Sequence, residues 1–158
     1  MAVEALAGPF ALVLGITGLS RYDVGMESVR VSQKAVISDG AAKCLVLLRG
    51  ESAPAGPLSW DLPGGYLDRG EDPMASMVRE IREETGLTVN GLRPFDVEAH
   101  VNSQGTYWVS VGYHAVSSST DVKISWEHVD YRWVSLTEFG QLGCRPRLVR
   151  FVEKFYAL

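Results

Sequence analysis

Glu80, Glu83 and Glu84 fall within five consecutive residues of a segment with helical periodicity. With the segment wound at ~100° per residue and Glu80 set at zero, Glu83 lies near about −60° and Glu84 near about +40°. Three carboxylates then share one arc. Ser76 lies on that arc one turn earlier and leaves room beside it, and Arg79 stands four residues before Glu83, close enough to hold its carboxylate. Like charges at this spacing cost a few tenths of a kcal/mol per pair, so a helix selected only for stability would mix its signs. Converging hard oxygen donors are what Mg²⁺ or Mn²⁺ requires. A solvated acidic face is the competing explanation, and the helix alone leaves both open.

These residues must be positioned by a helix with defined ends. Asp72 suits the N-cap and Pro73 the first helical position, where a missing N–H costs nothing. Gly86 supplies the stop after Thr85. Met74, Met77, Val78, Ile81 and Thr85 form an apolar stripe beside the acids. The preceding segment, Trp60 to Gly70, contains Pro63, Gly64, Gly65 and Gly70 and reads as irregular. Its Pro-Gly-Gly allows a backbone path close to a ligand. Glu71 ends that loop.

Around this unit the pattern gives strands, one central helix, more strands and terminal helices. Ser28–Ile37 alternates polar and apolar residues, Asp39-Gly40 turns, and Cys44–Leu48 is a continuous apolar run, which together predict a hairpin. Leu92–Val101 and Thr106–Val116 read as strands joined by a turn at Ser103-Gln104-Gly105, and Tyr131–Val134 as a short strand. Ser135 and Glu138 have capping-box spacing, and Leu148, Phe151, Val152 and Phe155 recur as on an amphipathic helix. The fold class is mixed α/β or α+β.

Gly65, five residues, Glu71, seven residues, then Arg79-Glu80-Ile81-Arg82-Glu83-Glu84-Thr85-Gly86-Leu87 resembles a complete Nudix box, from Gly65 to Leu87. The approach Trp60-Asp61-Leu62-Pro63-Gly64 is similar to that family's as well. The resemblance implies the Nudix fold, a mixed β-sheet sandwiched between helices, in a single domain over residues 1–158. It implies hydrolysis of a nucleoside diphosphate linked to a further moiety, with Mg²⁺ or Mn²⁺ as cofactor. On that basis Glu80, Glu83 and Glu84 are the metal ligands, with the Gly64 carbonyl as a further candidate. Glu71 and Arg79 orient them. Glu80 or Glu83 is the general base, with Glu127 as runner-up. Glu127 also matches a downstream metal ligand of the family, six residues before Trp133. Gly65 and His128 fall beside the site. Trp60, Trp108, Trp126 and Tyr107 are candidates to stack on a base, while Trp133, His100 and His114 read as packing or surface residues.

The substrate class stays open. The proline that follows the box in many ADP-ribose enzymes is not at its usual place, Pro94 being too close, and no coenzyme A or NADH extension is evident. Nucleoside triphosphates, oxidised or not, and nucleotide sugars lead, ahead of ADP-ribose or dinucleotide linkages. A non-catalytic nucleotide sensor is the competing class, and it would typically have lost a box carboxylate. An RNA-decapping enzyme would want a basic channel, and an isopentenyl diphosphate isomerase a catalytic cysteine, for which Cys44 in an apolar run is poorly placed.

Composition narrows the partners. The chain has 158 residues, 15 Lys plus Arg against 19 Asp plus Glu, and a net charge of −4. No global basic field attracts nucleic acid. Six acids and three arginines lie between Asp68 and Glu84, a local −3 within that −4. Cys44 and Cys144 have no partner at metal-ligand spacing, which suits a reducing cytoplasm. The uncharged run Ala5–Ser20 is shorter than the ~20 residues of a membrane helix and is broken by Gly8-Pro9. It reads as a strand or packed arm within residues 1–25, or as a leader before a later start near Met26. It also offers an apolar surface for a homodimer.

Overall fold

The computed structural model describes residues 29–53 and 56–158. The N-terminal apolar run, with the arm, leader and homodimer readings attached to it, lies outside the described residues.

Strands β1 (Arg30–Ser38), β2 (Cys44–Arg49) and β3 (Trp60–Asp61) precede helix α1 (Pro73–Thr85). Then come β4 (Val89–Val101), β5 (Tyr107–Ser117), β6 (His128–Val134), α2 (Leu136–Gln141) and α3 (Pro146–Tyr156). The sheet runs β3-β2-β1-β5-β4, with β6 on the other side of β2. β1 and β5 are parallel and the remaining pairs antiparallel, so the sheet is mixed.

Helices cover both faces. Ala35, Ile37, Leu45 and Leu47 point into a core closed by Met77 and Ile81 of α1. Val36, Cys44 and Val46 point the other way, against Phe139, Leu148, Phe151 and Val152 of α2 and α3. The period-2 alternation of a strand thus feeds two cores at once. This is why Cys44–Leu48 is apolar throughout. It also corrects the reading of β1: residues 32–38 are all buried, so its polar members Ser32, Gln33 and Lys34 are interior groups with partners.

The expected β1–β2 hairpin forms, but only its closing pair, Ser38 and Cys44, stays in register. The strands then splay, and the segment after β3 fills the gap. Gln33 N–H donates to the Gly65 carbonyl at 2.8 Å and Ala35 N–H to that of Pro63 at 2.9 Å. The buried Lys34 ammonium donates to Asp61 Oδ2 at 2.9 Å, Leu62 O at 2.9 Å and Gly64 O at 3.1 Å, using all three protons. A loop that reads as irregular is therefore bonded into the sheet.

α1 has the caps anticipated for it. Asp72 accepts from Ala75 N–H at 2.9 Å, and Gly86 adopts the left-handed conformation at φ 68°. Its buried side is turned toward the acids relative to the expected stripe: Ser76, Met77, Ile81, Glu84 and Thr85 are buried, whereas Met74 and Val78 are 37% and 50% exposed. β4 begins at Val89, earlier than its pattern suggests, because bulges near Gly91 and Pro94 interrupt the alternation. Pro94 is tolerated because β4 is an edge strand.

Gly64 is the tightest point of the wedge. Its φ is +135°, and a Cβ there would stand 2.2 Å from the Gln33 carbonyl oxygen, a backbone atom. Gly64→Ala is expected to cost about 3 kcal/mol or more in urea unfolding. Gly70→Ala, also at positive φ but in open space, should cost only about 1–2 kcal/mol. Equal costs would mean that the wedge is not sterically constrained.

Candidate functional site

The wedge and α1 meet along one side of a cavity of about 510 Å³. Gly64, Gly65, Arg79, Glu80 and Glu84 line that side, with Asp61 and Asp68. Glu127 and the buried Arg49 lie between, and Tyr66 and Trp108 form an aromatic wall.

The helix geometry explains each carboxylate. Glu80 and Glu83 both accept from Arg79 Nη1, at 2.8 and 3.0 Å, and Glu71 accepts from Arg79 Nε at 3.0 Å. One guanidinium therefore restrains three of the acids. It holds the Glu71 carboxyl below the usual carboxylate range, while Glu71 above all raises the guanidinium in return. Gly65 allows the close approach: a Cβ there would sit 2.6 Å from the Glu80 carboxyl carbon.

Glu84 faces inward. Its Oε2 accepts from Gly64 N–H at 2.7 Å, and its Oε1 lies 3.9 Å from His128 Nε2. Burial pushes its carboxyl up to about 7, against the opposing pull of Lys34. His128 is buried behind it, bonded through Nδ1 to Ser125 Oγ at 3.2 Å, and burial with the Arg49 charge pulls its imidazole down to about 4.

The expected residues separate into those that reach the cavity and those that do not. Glu80, Glu84, Glu127, Arg79, Gly64 and Gly65 line it. Glu83, 60% exposed, and Glu71 stand at its rim through Arg79. His128 touches the site only through Glu84. Trp60 does not line the cavity; it packs against the core under the Arg132 guanidinium, 4.7 Å from the ring centre. Trp126 is 75% exposed and likewise outside it. Trp108 does reach the cavity, 5.2 Å between ring centres from Tyr66, with the Arg30 guanidinium over its ring at 5.7 Å from the centre.

Sequence reasoning missed Lys34, Asp61, Arg49, Tyr66, Asn102, Arg145 and Arg147, and read His100 as packing or surface when it lines the cavity. Lys34 carried a weak signal, an ammonium directly before the apolar run Ala35-Val36-Ile37 of a strand. Arg147 of α3 carried none, since charges on an amphipathic helix normally face water, and neither did Arg145 at its N-cap.

The donor set is hard oxygen, suited to a divalent cation. Among the described residues no three His, Cys, Asp or Glu side chains already converge as a ligand cluster. Arg79 stands between Glu80 and Glu83, and Glu84 is turned to Gly64 N–H. Side-chain rotation at Glu80 and Glu83 would bring those oxygens together, and the Cβ-free face of Gly65 gives Glu80 its place. The residues fit the cation.

Comparison with known proteins gives the family. The NUDIX domain profile matches residues 29–156. A mouse bis(5'-nucleosyl)-tetraphosphatase (asymmetrical) is 31% identical over 92 residues, 53% of this chain and 60% of that protein. The Escherichia coli nucleoside triphosphatase NudI is 34% identical over 88 residues, 49% of this chain and 62% of that protein. These matches span about three-fifths of each relative. Among solved structures, the MutT protein of Methanosarcina mazei superposes with a TM-score of 0.69 at 28% identity, covering 84% of this chain and 96% of that one.

The buried pair predicts opposed pH dependences in metal-free protein. Glu84 keeps in the folded state a proton that the unfolded chain loses near 4.5, so its contribution falls by about 3 kcal/mol as pH rises from 4.5 to 7. Folded His128 refuses a proton that the unfolded chain holds below 6.5, so its contribution rises by about 3 kcal/mol from pH 4 to 6.5. Urea unfolding in chelator should show Glu84→Gln gaining stability relative to wild type as pH rises, and His128→Asn losing it. Slopes of the same sign would contradict the assignment.

Proposed function

The chain belongs to the Nudix family, and from that premise we propose that it is a divalent-metal-dependent pyrophosphohydrolase acting on a nucleoside diphosphate linked to another group. The observation that supports this best is the grouping of Glu80 and Glu84 around the Gly64–Gly65 turn at one side of a cavity whose wall carries Tyr66 and Trp108. The relatives named for a nucleoside triphosphate and a bis(nucleosyl) tetraphosphate act on molecules that contain such a linkage. Oxidised nucleotides and nucleotide sugars remain within the class.

A diphosphate resists hydrolysis because its own charge repels hydroxide. Mg²⁺ or Mn²⁺, held by Glu80, Glu83 and Glu84 with Glu127 and the Gly64 carbonyl as further donors, would neutralise phosphate oxygens and acidify water. Water attacks phosphorus, the bond from that phosphorus to the bridging oxygen breaks, and two phosphorylated products leave. Glu80, the α1 carboxylate that both lines the cavity and is fixed by Arg79, takes the water proton. Arg79 and Glu71 keep that carboxylate aimed. Tyr66 and Trp108 offer ring faces to a base. Lys34 and Arg49 offset the acids on the cavity floor, so that an anionic substrate meets a balanced field.

No helix among the described residues is long and apolar enough to cross a membrane. Burial pushes the Cys44 thiol up to about 12 and the Cys144 thiol up to about 11. Two inert thiols fit the cytoplasmic location proposed here.

A panel of nucleoside triphosphates, dinucleoside polyphosphates and nucleotide sugars with Mg²⁺ or Mn²⁺, both products identified, tests the activity. Cleavage between two phosphorus atoms that stops on chelation is the expected result. Glu83→Gln should lower turnover more than about tenfold, ~1.4 kcal/mol of barrier. Gly65→Ala displaces the flexible end of Glu80 rather than backbone. It should leave stability within ~1 kcal/mol of wild type while turnover falls at least about tenfold. Wild-type turnover in both variants would refute the assignment of this helix.

A further inference from the structure

Beyond the acidic side, the cavity ends in uncompensated positive charge. α3 is tied to β4 by a ladder of side chains two residues apart on the strand. Lys154 Nζ meets Asp96 at 2.6 Å, and Arg150 makes two bonds to Glu98 at 2.7 and 2.8 Å. The next rung breaks the pattern. Arg147 meets His100, its Nη1 3.4 and 3.5 Å from the ring nitrogens, where the ladder would place another acid.

Arg147 Nη1 also donates to Ser110 Oγ at 2.9 Å, which is itself 2.7 Å from Ser32 Oγ. Its Nε is buried with no partner among the described residues. Arg145 stands beside it, and among the described residues neither guanidinium lies within ion-pair distance of a carboxylate. Both line the cavity, and with His100 they continue into an adjoining hollow. Burial, reinforced by Arg145, pulls the Arg147 guanidinium below the usual arginine range. Glu98 also lines that hollow but is held by Arg150. A desolvated cation with no carboxylate paired to it is costly, and an anion placed there relieves the cost.

The position of this charge restricts the anion. Gly65 is bonded to the edge of β1, Ser110 lies on β5 at the far side of β1, and Arg147 sits on Ser110. Two strand spacings, ~10 Å, therefore separate Arg147 from the turn that holds Glu80 and Glu84. In a diphosphate both phosphorus atoms adjoin the scissile bond, and in a longer chain the next phosphate is only one bridging oxygen further on. A phosphate carried on the sugar is set apart from that bond by the ribose carbons.

We propose that Arg145 and Arg147 form a second anion subsite, and that the substrate is a nucleotide bearing an additional phosphate on the 2' or 3' position of its ribose. This rests on the pyrophosphohydrolase reading for the placement of the diphosphate. Trp108, the cross-strand partner of His100, lines the same cavity. The subsite selects among nucleotides without touching the reacting phosphorus.

The test is calorimetric binding to the full chain in chelator, so that no turnover occurs. Adenosine and guanosine 5'-monophosphate are compared with their 5'-diphosphates and with their 3',5'- and 2',5'-bisphosphates. Diphosphate and bisphosphate carry the same added group in different places. At least one bisphosphate should bind about tenfold or more tighter than the monophosphate. Arg147→Gln and Arg145→Gln should each lower that ratio at least about threefold, and leave the diphosphate-to-monophosphate ratio unchanged. Arg145 makes no side-chain hydrogen bond among the described residues, so its variant keeps the test sound if Arg147→Gln misfolds.

Equal binding of monophosphate and bisphosphates by wild type, a preference that survives both substitutions, or the same arginine dependence for the 5'-diphosphates overturns the proposal. Metal-dependent hydrolysis, followed in parallel on nucleoside triphosphates and on 5'-diphosphate nucleotides that also bear a 2'- or 3'-phosphate, separates the two claims. Turnover without a bisphosphate preference sinks the subsite alone. An arginine-dependent preference without turnover sinks the hydrolase reading alone.

Discussion

Gly64 joins the sheet to the acidic helix, and the site depends on the contacts that its missing side chain permits. The space a Cβ would need is taken by the Gln33 carbonyl of β1, its N–H holds the buried Glu84 carboxyl, and its carbonyl accepts from the Lys34 ammonium. Strand, loop and helix are registered at one residue. Any side chain here would have to move backbone, because the obstructing atom belongs to β1 itself. The splaying of β1 from β2 creates the gap for this loop, and two backbone hydrogen bonds to β1 keep it there.

Charge balance is the second constraint. Acids that face one another on a helix repel, and here Arg79 holds Glu71, Glu80 and Glu83 while Lys34 and Arg49 offset Asp61 on the floor. These pairs do more to place oxygens than to stabilise the chain, since exposed pairs contribute little. Most of the net charge of −4 is concentrated in this segment. The far end of the cavity has the opposite character, and the chain as a whole shows neither.

Much of the site was legible in the sequence because its determinants are local. Asp72, Pro73 and Gly86 delimit α1, and the spacing of Glu80, Glu83 and Glu84 sets their arc whatever the tertiary context. Long-range contacts were not legible. Lys34 meets the loop only through the wedge, which fills the gap where β1 splays from β2. Trp60 and Trp126 are local to the chemistry in sequence but are carried away from the cavity by core packing and by a surface turn. Trp108 and His100, far along the chain, are brought in by adjacent strands. Arg147 lies on an ordinary amphipathic helix, and only the missing acid opposite it, visible in three dimensions, sets it apart.

The central claim is that the α1 carboxylates form a divalent-cation centre rather than a solvated acidic face. Titration of Mn²⁺ into metal-free protein, with free Mn²⁺ counted by electron paramagnetic resonance, tests it without knowledge of the substrate. Saturable binding that is lost in Glu80→Gln while the variant stays folded is the result this account predicts. Wild-type protein that leaves Mn²⁺ free, or Glu80→Gln protein that binds it as wild type does, would contradict it.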